Sequence, residues 1–283
     1  MKCFVIAALG LWLNRLYIVG HEAVHRKLFP DNAMLNELIG TLILLPLIAP
    51  LTIYRKIHYF HHAHNRQSPG IATLDTFITS KPLTPLRGTY YQLVWFFCVF
   101  CGGFFLHTLV SILLFLLLPT RMGEQISPAF IGWKLSARLK AWGEFALGVG
   151  FHFAIYKLWG FQVWLTLLGL PLLVFAWLWS MLLYIYHYQT TIGDKVTCNV
   201  RSLKRHPFFS WLLLNFNEHV THHANPQIPW YLLPEKRIEL SEAFQSNQNV
   251  ATLSEAIWQQ LKGPTVMTSR FTENVTHTEA SSQ

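Results

Sequence analysis

Charge is scarce in this chain: Asp, Glu, Lys and Arg make up 13% of its 283 residues, while 52% are hydrophobic and 15% aromatic. The uncharged stretches are longer than any soluble core of this size needs, which excludes an ordinary water-soluble domain. Cysteine is also rare. Four of them, Cys3, Cys98, Cys101 and Cys198, make no disulfide framework. Cys98 and Cys101 have CxxC spacing but sit in an apolar run beside Gly102 and Gly103, where packing is the better reading. No cysteine set suits an iron–sulfur cluster. The formal net charge is +8, yet basic and aromatic residues do not interleave as a base-stacking surface would, so no nucleic-acid partner is expected. No internal repeat is evident beyond two short histidine clusters.

The apolar runs are what an integral membrane protein provides. A hydrocarbon layer about 30 Å thick needs about 20 helical residues, and Cys3 to Gly20, Leu93 to Leu118 and Phe145 to Tyr186 qualify. The first is not a signal peptide, because it lacks a small-residue cleavage site and runs straight into His21. The last is long enough for two spans with a break near Gly160. The fold expected is therefore all-α, a multi-pass integral membrane helical protein. Residues 1–240 form its membrane domain, and 241–283 form a polar C-terminal tail, partly disordered. An NVT sequon at Asn274 falls on the expected cytoplasmic side, where glycosylation is not expected.

Three histidine clusters interrupt the apolar chain: His21 and His25 in HEAVH, His58, His61 and His62 in HYFHH, and His219, His222 and His223 in HVTHH. Residues three and four apart share one helical face, so each cluster presents its imidazoles together. Neutral imidazole suits iron, zinc, copper or nickel. Eight such ligands exceed what one ion holds, and two ions are the simplest count. Polar groups in a membrane chain mark function by default. Lone histidines do not carry that weight: His107 and His152 are read as packed residues, and His64 and His206 as surface residues or neighbours of the site.

A shared site imposes parity on the topology. All three clusters must lie on one membrane face, so an even number of crossings separates any two. Leu35 to Ile53, broken by Pro46 and Pro50, is then re-entrant or interfacial. Leu93 to Leu118, with basic residues on both flanks (Lys81 and Arg87; Arg121, Lys134, Arg138 and Lys140), is expected to bend back near Gly102 and Gly103. Phe145 to Tyr186 is the full hairpin, returning near His187 with every histidine cluster on the cytoplasmic face.

HEAVH alone also fits H-E-x-x-H, the zinc-protease motif in which Glu22 would be the general base. That reading leaves at least five clustered histidines unused, and Glu22 reads better as a residue that orients an imidazole. Asn65 and Asp75 are candidates to hydrogen-bond ligand imidazoles, and Asn217 to support a ligand or a bound water.

In order and spacing the three clusters, with HHAHN extending the second and NPQIPWYLLP following the third, resemble the histidine boxes of the membrane fatty acid desaturase superfamily, which includes carotenoid ketolases and hydroxylases. The likeness covers roughly residues 5 to 235. It implies a non-haem di-iron centre that uses O2 as co-substrate on an unactivated C–H bond, with His21, His25, His58, His61, His62, His219, His222 and His223 as ligands and His187, in LLYIYHYQTT, as a ninth. The lipid substrate is then a fatty acyl chain or a carotenoid. An acyl-lipid desaturase is the first reading. A carotenoid ketolase or hydroxylase is the alternative, since VHRKLFPDNAMLNELIGTL has the character of those enzymes. A non-enzymatic metal transporter or sensor would share the ligands without consuming O2. Members of the superfamily carry a further span before the first box, where this chain has one apolar run, so the sequence reads as short there or as starting at an internal methionine. No fused electron carrier is present, so electrons would come from a separate ferredoxin or cytochrome b5-like protein, docked on a basic surface that includes Arg201, Lys204 and Arg205.

Overall fold

The computed structural model describes residues 1–268; the sequon at Asn274 lies outside them. Helix α1 (Lys2–Val24) is packed along α8 (Leu170–Leu182) and crossed by α2 (Ala33–Leu44). Small residues allow the close crossings. A Cβ on Gly10 would lie 2.5 Å from Val174, and one on Gly20 2.4 Å from Leu44. Packing through small residues suits helices that meet in lipid, where the solvent offers no hydrophobic drive toward association.

The three expected interruptions are all present, and each has a backbone cause. Between α2 and α3 (Leu51–His64) the chain turns by 95° through a 3-10 turn at Leu45–Leu47, with Pro46 inside it and Pro50 capping α3. Proline removes a donor and clashes with a continuing helix, so the axis breaks there. Between α4 (Pro85–Phe100) and α5 (Gly103–Leu117) the bend is 85°, a right angle rather than a tight hairpin, at Gly102 with φ +84°. That is a left-handed conformation that glycine adopts without strain. After the short α6 (Thr120–Ile126), α7 (Leu135–Trp164) bends at Gly160, φ +82° and ψ 170°, and continues through a π-helical turn (Leu165–Gly169) into α8. The Trp164 indole donates to His152 Nδ1 at 3.2 Å. Twelve residues of straight helix would hold these two about 18 Å apart, so the chain doubles back here.

Two segments, Lys2–Val24 and Leu135–Leu182, are long and apolar enough to cross a membrane, and up to four are if each bent pair is one span. The outward faces of these helices are rich in exposed Leu, Phe and Trp, including Phe4, Leu106, Leu158 and Trp177.

The fold is mostly helical, with one small addition to the all-α expectation: β1 (Thr76–Thr79) pairs in parallel with β2 (Thr265–Thr268). Of the segment expected as a polar tail, residues 241–268 are built into the body. It holds a 3-10 turn (Glu242–Gln248) and α11 (Leu253–Gln259), which a Thr252–Glu255 capping box starts. It also supplies polar partners to buried groups: the Trp95 indole donates to Gln260 O and Tyr188 Oη to Gly263 O. The segment also buries Val250 and Ala256, with Phe244, Leu253 and Ile257 beside them, against Ile185, Val200 and Leu203; these apolar residues are interspersed with polar ones, so composition alone hides the attachment.

Candidate metal centre

The first two boxes are brought together by the free end of α1. The last carbonyls of a helix lack intrahelical partners, and here Ala23 O and Val24 O, between His21 and His25, are claimed by α3. Arg55 donates from Nε to Val24 O at 2.9 Å and from Nη2 to Ala23 O at 2.8 Å, and the Tyr59 hydroxyl adds a bond to Val24 O at 3.1 Å. Arg55 is itself held by a two-pronged bond to Glu37 of α2, at 2.6 and 3.0 Å. At the opposite end of α3, Glu144 of α7 caps the helix by accepting from Thr52 N and Thr52 Oγ1, both at 2.8 Å. Helix α3 is thus clamped at both ends, with His58, His61 and His62 on its last turns.

The third box sits on a one-turn helix, α10 (His219–Ala224). The chain reaches it from α9 (Pro207–Leu212) through Leu214 and Asn215, both left-handed at φ +48° and +58°. Such strain is uncommon outside glycine and persists only where the surroundings fix it. His187 lies in the turns after α8, its Nδ1 3.4 Å from Asn199 O.

All nine histidines converge through Nε2. Consecutive separations run His25–His21 3.3 Å, His21–His58 2.7 Å, His58–His62 2.9 Å and His62–His222 3.0 Å. Beside this chain, His61 and His223 are 3.3 Å apart and His187 and His219 3.1 Å. By proximity of ligand atoms the cluster divides in two: His21, His25, His58, His62 and His222 around one point, and His61, His187 and His223 around another. His219 joins the second group through its contact with His187. Imidazole nitrogens bound about 2.1 Å from one ion lie about 3.0 to 3.4 Å from each other, which matches most of these separations. The residues therefore fit two metal ions of the kind that neutral imidazole prefers.

The surroundings suit that protonation state. Burial, with neighbouring imidazoles adding to it, holds His187, His219, His222 and His223 well below the ordinary histidine range, so the rings stay neutral and each keeps a lone pair for a metal. The Tyr186 ring stacks on His219 at 4.3 Å between centroids, and the edge of Phe216 meets His21 at 4.7 Å.

The other expected site residues are placed less directly. Glu22 is buried with Oε1 3.9 Å from His21 Nδ1, too far for a hydrogen bond, while Oε2 accepts from Trp230 N at 3.3 Å. Asn65 bonds no imidazole; it donates to Val196 O and Asn199 O at 3.0 and 2.9 Å, steadying the loop behind His187. Asp75 likewise reaches no histidine and pairs with Arg66. Asn217 donates weakly to Glu218, and its buried Oδ1 has no partner among the described residues. His64 bonds Gln67, and His206 and His107 are exposed. His152 is a satisfied structural residue, with Nε2 3.0 Å from Pro46 O at the α2–α3 break. Arg201, expected on a docking surface, is wholly buried and donates to Gln259 Oε1 and Tyr188 O; Lys204 and Arg205 are exposed. Arg55, Arg66 and Asn199 escaped the sequence reading. For Arg55 and Arg66 the available signal was a charged residue on either side of the second box, in a chain where charge is otherwise sparse; Asn199 offered none.

Residues 2–252 match the profile of the family described as "Fatty acid desaturase". The chain belongs to the fatty acid desaturase family. It is 24% identical over 281 residues to the chloroplastic omega-6 fatty acid desaturase of Brassica napus, covering 92% of this chain and 57% of that protein. It is 28% identical over 233 residues to the sn-1 acyl-lipid omega-3 desaturase (ferredoxin) of Synechocystis sp., covering 77% of this chain and 61% of that protein. The chain thus spans a little over half the length of these curated relatives.

Proposed function

We propose that this chain acts as an oxygen-dependent, membrane-embedded acyl-lipid desaturase with two non-haem irons held by nine histidines. The observation that carries the reading is the division of the converging Nε2 atoms into two adjacent groups. One H-E-x-x-H site with a third ligand would leave most of these rings without a role.

In the overall reaction –CH2–CH2– loses two hydrogens and becomes –CH=CH–, while O2 takes up four electrons and four protons to give two waters. Two electrons and two protons come from the substrate and two of each from an external donor and solvent. When bound, the irons supply the oxidising power for a C–H bond that has no acidic proton for a base to remove. This chain's own residues hold the ligands neutral, join the first and second boxes through the α1–α3 clamp, and wall the site with Phe216 and Tyr186.

An acyl-lipid substrate and a separate ferredoxin-like donor follow the names of the relatives, and the exposed Lys204 and Arg205 are suited to an acidic carrier. The multi-pass arrangement with the histidines on the cytoplasmic face rests on the parity argument. The test is lipid and pigment analysis of cells expressing the chain with a ferredoxin and its reductase. A new double bond in acyl chains, lost on chelation of iron, is the expected result. A new carbonyl or hydroxyl on a pigment with unchanged acyl chains would overturn it in favour of the carotenoid reading.

A further inference from the structure

A cleft of about 570 Å³ opens between α1 and α9, lined by Arg15, Arg205, His206, Trp211, Asn215 and Trp230 among others. Arg15 is the unusual member. It is a cation six residues before His21 on an otherwise apolar helix, where an ionised side chain is expensive unless something pairs with it. Among the described residues neither Arg15 nor Arg205 has a carboxylate within ion-pair distance. Glu218, which follows Asn217 toward the third box, is taken by Arg237 at 3.1 Å. Arg15 is instead held in place by the protein. It donates to Trp211 O, and its guanidinium lies 4.2 Å from the centre of the Trp211 ring. These contacts fix its position and leave its charge unneutralised.

The rim indicates the depth at which the cleft lies. Trp12 on α1 and Phe208 and Trp211 on α9 are each more than half exposed. Tryptophan with one apolar side and one polar side settles at the level of lipid headgroups. Pro207, Leu214 and Trp230 give the cleft an apolar wall. The same wall leads to the histidines. Trp230 N is bonded to Glu22, the neighbour of His21, and Leu214 and Asn215 run directly into Phe216, which packs on His21 and on His222.

We propose that this cleft seats the anionic headgroup of the lipid whose acyl chain is desaturated, with Arg15 and Arg205 as its two cationic contacts. The inference rests on the desaturase reading of the histidine cluster and adds the charge of the substrate's polar end. The chemistry recognised is an oxyanion on an acyl chain, either the phosphodiester of a glycerolipid or the carboxylate of a free fatty acid.

The test is equilibrium binding of short-chain lipids to the purified, detergent-solubilised full chain: dioctanoyl phosphatidylglycerol, dioctanoylglycerol, which has no oxyanion, and octanoate. The phosphatidylglycerol should bind about tenfold tighter than the dioctanoylglycerol, the factor a charge-assisted hydrogen bond supplies. Arg15→Gln and Arg205→Gln should each erase most of that preference without weakening dioctanoylglycerol binding, while Arg15→Lys and Arg205→Lys retain it. Octanoate displacing phosphatidylglycerol at equal concentration would assign the cleft to the carboxylate, and failure to displace would assign it to the phosphodiester. Equal affinity for the two dioctanoyl lipids, or a preference unchanged in both Gln variants, overturns the proposal. Arg205 is exposed, so its variant remains informative if Arg15→Gln does not fold. Binding is read without turnover. A chain that shows the preference but desaturates nothing would sink the enzymatic reading alone, and a desaturating chain without the preference would sink the cleft alone.

Discussion

Arg66 and Asp75 form an ion pair with side chains only 3% and 0% exposed, and the pair reaches across to the turn that carries His187. Arg66 also donates to the Tyr184 hydroxyl at 2.9 Å and to Thr190 O at 3.1 Å, while Asp75 Oδ2 accepts from Gln189 N at 2.7 Å. The chain leaving the second box is thereby fixed to both sides of His187.

Because both charges are desolvated, removing one leaves the other buried and unpaired, which costs about 3–5 kcal/mol. Asp75→Asn is expected to lower the melting temperature of the detergent-solubilised protein by many degrees. The double change Arg66→Leu with Asp75→Leu should lose less than the single one, since no orphaned charge remains. Equal melting temperatures for wild type and Asp75→Asn would rule out the pair as a fastening of the His187 turn.

The two ligand groups predict separable metal losses. His222→Ala removes a ligand from the five-histidine group and His187→Ala one from the other. With about two irons per chain in the wild type, each variant is expected to retain about one, as four- to five-ligand sites do not survive loss of a ligand and its neutral lone pair unchanged. His107→Ala should keep both, because His107 is exposed and away from the cluster. Iron analysis of the purified variants decides it; a full complement in His187→Ala would remove that residue from the site.

The boxes were legible because metal ligation on a helix demands local spacing, and three- and four-residue intervals are visible in a linear sequence. The bends at Pro46, Gly102 and Gly160 were legible for a similar reason, as proline and glycine mark where backbone geometry changes. Arg201 was misread because a charged residue near apolar spans is assigned to the surface by default, whereas its burial depends on Gln259, 58 residues away. Asn65 was misassigned for the same reason. A turn residue beside the second box naturally suggests an imidazole partner, and only the folded chain brings Asn199 to it. Long-range polar pairing leaves no period in a sequence.

The segment after residue 240 gives a third prediction. Among its contacts, Asn247 accepts from Thr191 N at 2.8 Å, Gln260 donates to Met181 O at 3.0 Å, and Asp75 O accepts from Thr265 N at 2.8 Å. A chain ending at residue 240 would deprive the Trp95 indole and the Tyr188 hydroxyl of their partners and Arg201 of one of its two, each loss costing about 1–3 kcal/mol. Such a chain is expected to aggregate on extraction or to melt far below the full chain. A truncated protein that is monodisperse on gel filtration with an unchanged melting temperature would show that these bonds contribute nothing.

The crossing of α1 and α2 gives the last. A Cβ on Gly40 would lie 2.4 Å from the Ala23 Cβ, well inside contact distance, and both positions are helix backbone with no flexible side chain to yield. Ala23 stands between His21 and His25, and its carbonyl accepts from Asn36 and Arg55. Gly40→Leu must therefore push α2 away from α1 at the point where the first box is held. Overpacking of this kind costs about 1–3 kcal/mol, and here the displacement reaches the ligands, so the variant should lose thermal stability and iron together. Gly150→Leu supplies the control: it adds the same side chain to a helix where a Cβ meets nothing within 4 Å, and it should keep both. Retention of full iron and stability in Gly40→Leu would mean that the α1–α2 contact does not set the position of His21 and His25.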